Sequence, residues 1–167
     1  MLKPFVDEVF LKYSGIMIDL SLREAQLFRM LSSFFGRDQV IVKMSVLAVC
    51  GGELPNPLPA QLLASYTIDN SLDLAIWAKK NTCLFTIIDH NDAPKMVIEF
   101  FSGFKNSIDA KEEEHLRILP SLLSTSHIPY VTITDQEFKE LIDPHSSLDF
   151  CTLLEHKFVE AREVFVT

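Results

Sequence analysis

The spacing of apolar residues changes period several times along the chain, and each change marks a boundary. Leu2 to Tyr13 places Phe5, Val9 and Phe10 on one side and predicts an amphipathic helix. Ser21-Leu22-Arg23-Glu24 is a capping box, in which the Ser21 hydroxyl and the Glu24 carboxylate satisfy two free backbone donors at a helix start. Leu22, Ala25, Leu27, Phe28, Leu31, Phe34 and Phe35 then recur at helical spacing, and Gly36 suits the C-terminal cap. A helix is predicted from about Leu22 to Phe35.

Period two follows. Gln39 to Val49 is rich in β-branched residues and partly alternating, and Ser71 to Ala78 alternates Leu72, Leu74 and Ile76. Cys83 to Ile88 and Lys95 to Phe101 predict two further strands around a turn at His90 to Pro94. Gly51 to Asn70, with Gly51, Gly52, Pro55, Pro57 and Pro59, reads as a loop longer than most connections. Past Ser107 a helix is predicted, kinked at Pro120. Ile128 to Thr134 is a short buried strand, Asp135 to Leu141 a helical turn, and Ser147 to Val164 a C-terminal helix. Strands gathered between two helices and closed by one more strand indicate an α/β sandwich with a central sheet flanked by helices.

Composition narrows the class. The 167 residues are 48% hydrophobic with 5 Gly and 3 Cys, which excludes disorder, collagen-like repeats and disulfide scaffolds. A single domain over residues 1–167 is expected, with its core at about 20–142. No apolar run reaches the roughly 18 residues of a membrane span, and the acidic start lacks a signal-peptide core, so a cytoplasmic location is expected. Cys50, Cys83 and Cys151 form no close pair and read as reduced structural thiols. The net charge of −8 lies in the second half: residues 1–83 carry 8 basic and 8 acidic side chains, residues 84–167 carry 7 and 15. Acidity of that size opposes general phosphate-driven binding. It leaves a local basic patch open in the neutral half, from Arg23, Arg29, Arg37, Lys43, Lys79 and Lys80.

The candidate chemistry rests on carboxylates. Asp73 opens a predicted strand, Glu99 is embedded in the apolar run Met96 to Phe101, and Asp89 ends the preceding strand. An acid inside such a run must be hydrated or paired. Asp109 heads the next helix, and His127-Ile128-Pro129-Tyr130-Val131 leads into the last strand. In this order the chain resembles the PD-(D/E)XK nuclease superfamily, and more narrowly a group of uncharacterised bacterial proteins with that fold. The resemblance covers about residues 20–142. It implies a restriction-endonuclease-like αβββαβ sandwich, with an extra C-terminal helix here. It also implies that Asp73 and Glu99 hold Mg²⁺ and that Asp73 and Glu99 or Asp89 are catalytic, a nearby lysine preparing the attacking water.

The chain departs from that pattern at the lysine. Two residues after Glu99 stands Phe101, and two after Asp89 stands Asn91. Lys95, Lys105 and Lys111 are the remaining candidates, and the stronger strand pattern favours Glu99 over Asp89. Glu24 is accounted for by its capping box, and Asp109-Ala110-Lys111 by a helix N-terminus, where acids favour the macrodipole. His90, His115, His127, His145 and His156 form no metal-binding pair, and no Gly-rich phosphate loop or nucleophile motif occurs. Two readings follow: a degenerate or non-standard nuclease acting on or associated with nucleic acid, and an inactive nuclease-fold module that binds a protein partner.

Overall fold

The computed structural model describes residues 8–13, 16–58, 60–63, 71–101 and 110–163. The N-terminal segment is where the first expectation fails. Glu8–Tyr13 is strand β1, paired antiparallel with β2, Ile16–Ser21, from Glu8↔Ser21 to Tyr13↔Ile16. Val9, Leu11 and Tyr13 alternate as well as they stack helically, and only two residues, Ser14 and Gly15, separate the strands. Short connections rich in Gly, Ser and Asn are hairpin signals. Residues 2–7 of the expected helix lie outside the described residues.

Helix α1, Leu22–Phe35, begins and ends where its signals stand. The Ser21 hydroxyl accepts from the Glu24 N–H at 3.2 Å, and the Glu24 carboxylate accepts from the Ser21 N–H at 2.7 Å. Gly36 closes it at a φ of +99°, open to glycine without strain. A single 3₁₀ turn, Arg37–Gln39, leads into β3, Val40–Ser45. The predicted strand Gln39 to Val49 is cut short there because the Ser45 hydroxyl accepts from the Ala48 N–H and starts a one-turn helix, α2, Val46–Val49. The long segment after it contains a second one-turn helix, α3, Ala60–Leu63, while residues 59 and 64–70 lie outside the described residues.

Ser71 to Ala78 is a helix rather than a strand: α4 spans Ser71–Lys80. Leu74 and Ala78 are buried one turn apart, whereas Ile76, which alternation would place beside Leu74, is 44% exposed. The period of 3.6 therefore prevails over the period of two in a stretch where both fit. The three successive strands of the sheet are β3, β4 (Thr82–Ile88) and β5 (Pro94–Phe101). Helix α5, Ala110–Thr125, runs through Pro120 and carries the chain to β6, Tyr130–Thr134. Its end is a Schellman-type cap: His127 takes a left-handed φ of +56°, and the Ile128 N–H reaches the Leu123 carbonyl at 2.9 Å. Helices α6, Asp135–Ile142, and α7, Phe150–Glu163, complete the described chain.

Strand order in the four-stranded sheet is β3-β4-β5-β6, antiparallel for the first two pairings and parallel for β5 with β6. Helices cover both faces, giving an α/β architecture with an open mixed sheet. One face buries Ala25, Leu27, Phe28 and Leu31 of α1 with Phe138 of α6 and Leu154 of α7; the other buries Leu74 and Ala78 of α4 with Ile118, Leu119, Leu122 and Leu123 of α5. The assignment of strand residues to faces slips once. Val42 and Phe85 are opposite each other in the first core, but Met44 and Cys83, the next pair along, face the second. Lys43 lies between them at a left-handed φ of +52°, which reverses the alternation. Its ammonium donates to the Asp19 carbonyl at 2.6 Å, tying the sheet to the N-terminal strand pair.

Candidate functional site

Glu99 stands where β4 and β5 part. Their ladder runs from Ile88↔Pro94 to Phe85↔Ile98. The next N–H, that of Leu84, donates at 2.8 Å to Glu99 Oε1. Beyond that point β5 continues beside β6, with Glu99 opposite Thr132. A part-buried backbone donor just beyond the end of the β4–β5 ladder needs an acceptor, and the carboxylate supplies it. Glu99 shares the face of Val97, toward α4 and α5, and is 16% exposed.

Helix α5 brings His115 to the other carboxylate oxygen, with Nε2 at 3.8 Å from Oε2 and the imidazole 20% exposed. The imidazole lies 5.8 Å from the Trp77 ring of α4, tilted by 45°. Two acidic protons sit in the same field. Burial pushes the Cys83 thiol up, and the Glu99 carboxylate and Cys50 add to it. Burial likewise pushes the Tyr130 phenol up, with Glu99 and Cys83 adding to it. The Tyr130 hydroxyl is buried without a hydrogen-bond partner. Both groups are therefore neutral donors at physiological pH, and the thiol is a poor nucleophile.

Of the acids predicted from sequence, Asp89 stands apart from Glu99. Asp89 is the organiser of the β4–β5 turn: Oδ1 accepts from the Asn91 N–H at 2.8 Å and the Ala93 N–H at 3.0 Å, and Oδ2 faces Lys95 at 3.1 Å. Those two N–H bonds and the lysine hold its carboxyl below the ordinary range. Glu99 is level with Leu84, so Asp89 lies about 17 Å further along the strand. Asp73 does not open a strand; it belongs to the first turn of α4, one turn before Trp77. Asp109 and Lys105 lie outside the described residues, and Lys111 is exposed on the first turn of α5.

Around Glu99 the described donors are an imidazole, a thiol and a phenol, and one carboxylate oxygen already holds a backbone N–H. That is not the set of hard oxygens that Mg²⁺ takes. No group of three His, Cys, Asp or Glu side chains among the described residues converges to hold a metal. Phe101, on the same face two residues on, offers no charge where the resemblance expects a lysine. The arrangement sets an imidazole, a thiol and a phenol around a carboxylate that is already engaged with the backbone. His115 carried a signal in the sequence: with Ile118, Leu119 and Leu122 it heads the stripe at i, i+3, i+4 and i+7 that α5 turns to the sheet. Trp77, Cys83 and Tyr130 come from three separate elements, and no spacing links them.

The basic residues of the neutral half are dispersed. Arg23 of α1 reaches across to Asp135, which is 3% exposed and also meets Lys139 at 2.8 Å. Lys43 is engaged at Asp19, whereas Lys79 and Lys80 are exposed at the end of α4. No protein-family model, curated protein or solved structure matches the chain. Among the described residues no helix is long and apolar enough to cross a membrane.

Proposed function

We propose that the protein is a restriction-endonuclease-like domain of the PD-(D/E)XK type whose metal centre has degenerated, and that it works by binding a protein partner. The order α1, β3, β4, β5, α5, β6 supports the fold, with α2, α3 and α4 inserted between β3 and β4 and the fourth sheet strand parallel to the third at the sheet edge. The observation that carries the loss of cleavage chemistry is the state of Glu99. Its carboxylate is engaged as the acceptor for Leu84 N–H, its neighbour on β4 is a leucine, and Phe101 takes the place of the lysine. The strand Thr82–Ile88 carries no carboxylate at all, so a second acid would have to come from another element. Nucleic-acid cutting also needs cations facing phosphate, and Arg23 is instead neutralised by Asp135.

Titration with Mg²⁺ and Mn²⁺, paired with DNA and RNA cleavage assays, tests this on wild type, Asp73→Ala and Glu99→Gln. The expected result is no saturable metal binding and no cleavage in any of the three. Metal-dependent cleavage by the wild type that both substitutions abolish would make the domain a live phosphodiesterase and overturn the reading.

A further inference from the structure

A groove of about 440 Å³ opens on the far side of the molecule from Glu99's face, between α1 and the start of α7. Arg29, Met30, Ser33 and Phe34 of α1 line one side and Phe150 the other. We propose that this groove docks a peptide of a partner protein, one that presents a bulky apolar side chain next to a carboxylate. The inference rests on the binding role proposed above and names the surface and the chemistry of the partner.

Three observations carry it. The first is Phe34, which is 46% exposed although α1 has a buried stripe at Ala25, Phe28 and Leu31. Its ring makes edge-on contacts, 4.8 Å to Phe35 and 6.0 Å to Phe150, so three aromatic rings form a continuous apolar wall. The second is Met30, which packs partly against the core and offers a flexible, polarisable surface that adapts to different side chains. The third is charge. Arg29 is exposed at the rim and makes no ion pair with another described residue, on a chain whose net charge is −8. A lone guanidinium beside an apolar groove complements a single carboxylate and an adjoining apolar group. One cation in an acidic chain does not suit a nucleic-acid backbone or an anionic membrane, both of which reward clusters of positive charge.

Panning a displayed random-peptide library on the full chain tests the proposal, with the enriched peptides then measured singly by fluorescence polarisation. The expected peptides place an aromatic or aliphatic residue within a helical turn of Asp or Glu. Arg29→Glu and Phe34→Ala alter exposed positions; circular dichroism verifies their fold, and each is expected to weaken binding about tenfold. Replacing the peptide's acid by lysine should restore binding to Arg29→Glu while weakening it to wild type. Failure to enrich peptides, enrichment without the acid, or unchanged affinity in Arg29→Glu overturns the proposal. Concentration-dependent dimerisation that Phe34→Ala abolishes would also overturn it, by making a second copy the occupant. Metal-dependent cleavage by a chain that still captures these peptides would remove the functional reading alone, and absence of both capture and cleavage would remove the groove alone.

Discussion

Replacing Glu99 separates a residue that holds the sheet together from one kept for chemistry. In Glu99→Ala the Leu84 N–H loses the acceptor that sits 2.8 Å away in a part-buried site. An unsatisfied donor of this kind costs about 1–3 kcal/mol. In a chain of this length 1 kcal/mol moves Tm by roughly 2–4 °C, so a loss near 2 kcal/mol lowers it by about 4–8 °C. Glu99→Gln keeps a carbonyl acceptor and gives up only the charge assistance, so its loss is expected to stay below about 1 kcal/mol. Urea denaturation of the three proteins, with unchanged m-values, gives the free energies directly. Hydrogen exchange at the Leu84 amide should accelerate in the alanine variant and much less in the glutamine one. If Glu99→Ala is as stable as wild type, or more stable, the carboxylate is a strained functional group and its role as an acceptor for the parted strands is refuted.

Three further outcomes follow from the same geometry. Arg23→Ala combined with Lys139→Ala strips both cations from buried Asp135, and the uncompensated carboxylate should cost about 3 kcal/mol in denaturant titrations; a change near zero would mean that the helix N-terminus alone holds the charge. Asp89 is held below the ordinary carboxylate range by its backbone N–H bonds and Lys95. Burial pushes Glu137 up, but Lys157 and Thr134 outweigh it. Groups depressed by folding stabilise the protein above the unfolded carboxylate range, and that stabilisation disappears as pH falls through their folded values. Asp89→Asn should therefore be less stable than wild type at neutral pH, with the gap closing on acidification; a gap that widens in acid would contradict the assignment. Cys83, completely buried and with its thiol pushed up by burial, should resist iodoacetamide in the native protein and react on unfolding, and rapid native labelling would show that the second core opens.

Legibility in the sequence tracked the number of independent local signals. Helix α1 had a capping box, a full apolar stripe and a terminal glycine, and all three mark its real ends. The stretches around β4, β5, β6 and α6 match to within a residue or two. Ser71 to Ala78 had only alternation, which Leu74 and Ala78 satisfy equally well as a helix, and the error displaced Asp73 from a strand to α4. Residues 8–13 go the opposite way: the segment fits both periods, and its antiparallel pairing with β2 decides for the strand. That Glu99 must be hydrated or paired was readable from its place inside an apolar strand, and it is paired, with the Leu84 N–H. Its engagement with Leu84 was not readable, because it depends on where two strands diverge. His115, Trp77, Cys83 and Tyr130 meet it from four different elements, a convergence that only tertiary structure creates.

The left-handed turn at Lys43 bears on how the chain tolerates change in length. Because it reverses the alternation, the same two strands contribute Val42 and Phe85 to one core and Met44 and Cys83 to the other. Adding or removing one residue between Val42 and Met44 would exchange the faces of everything from Met44 onward and expose one core while crowding the other. A similar edit in the Asp89 to Ala93 turn would be absorbed locally, since no buried side chain depends on its phase. Natural variation in length is therefore expected at the turn and not at the kink. A strand with a built-in change of phase also joins the two cores into one cooperative unit: neither can melt while the other keeps β3 and β4 in register.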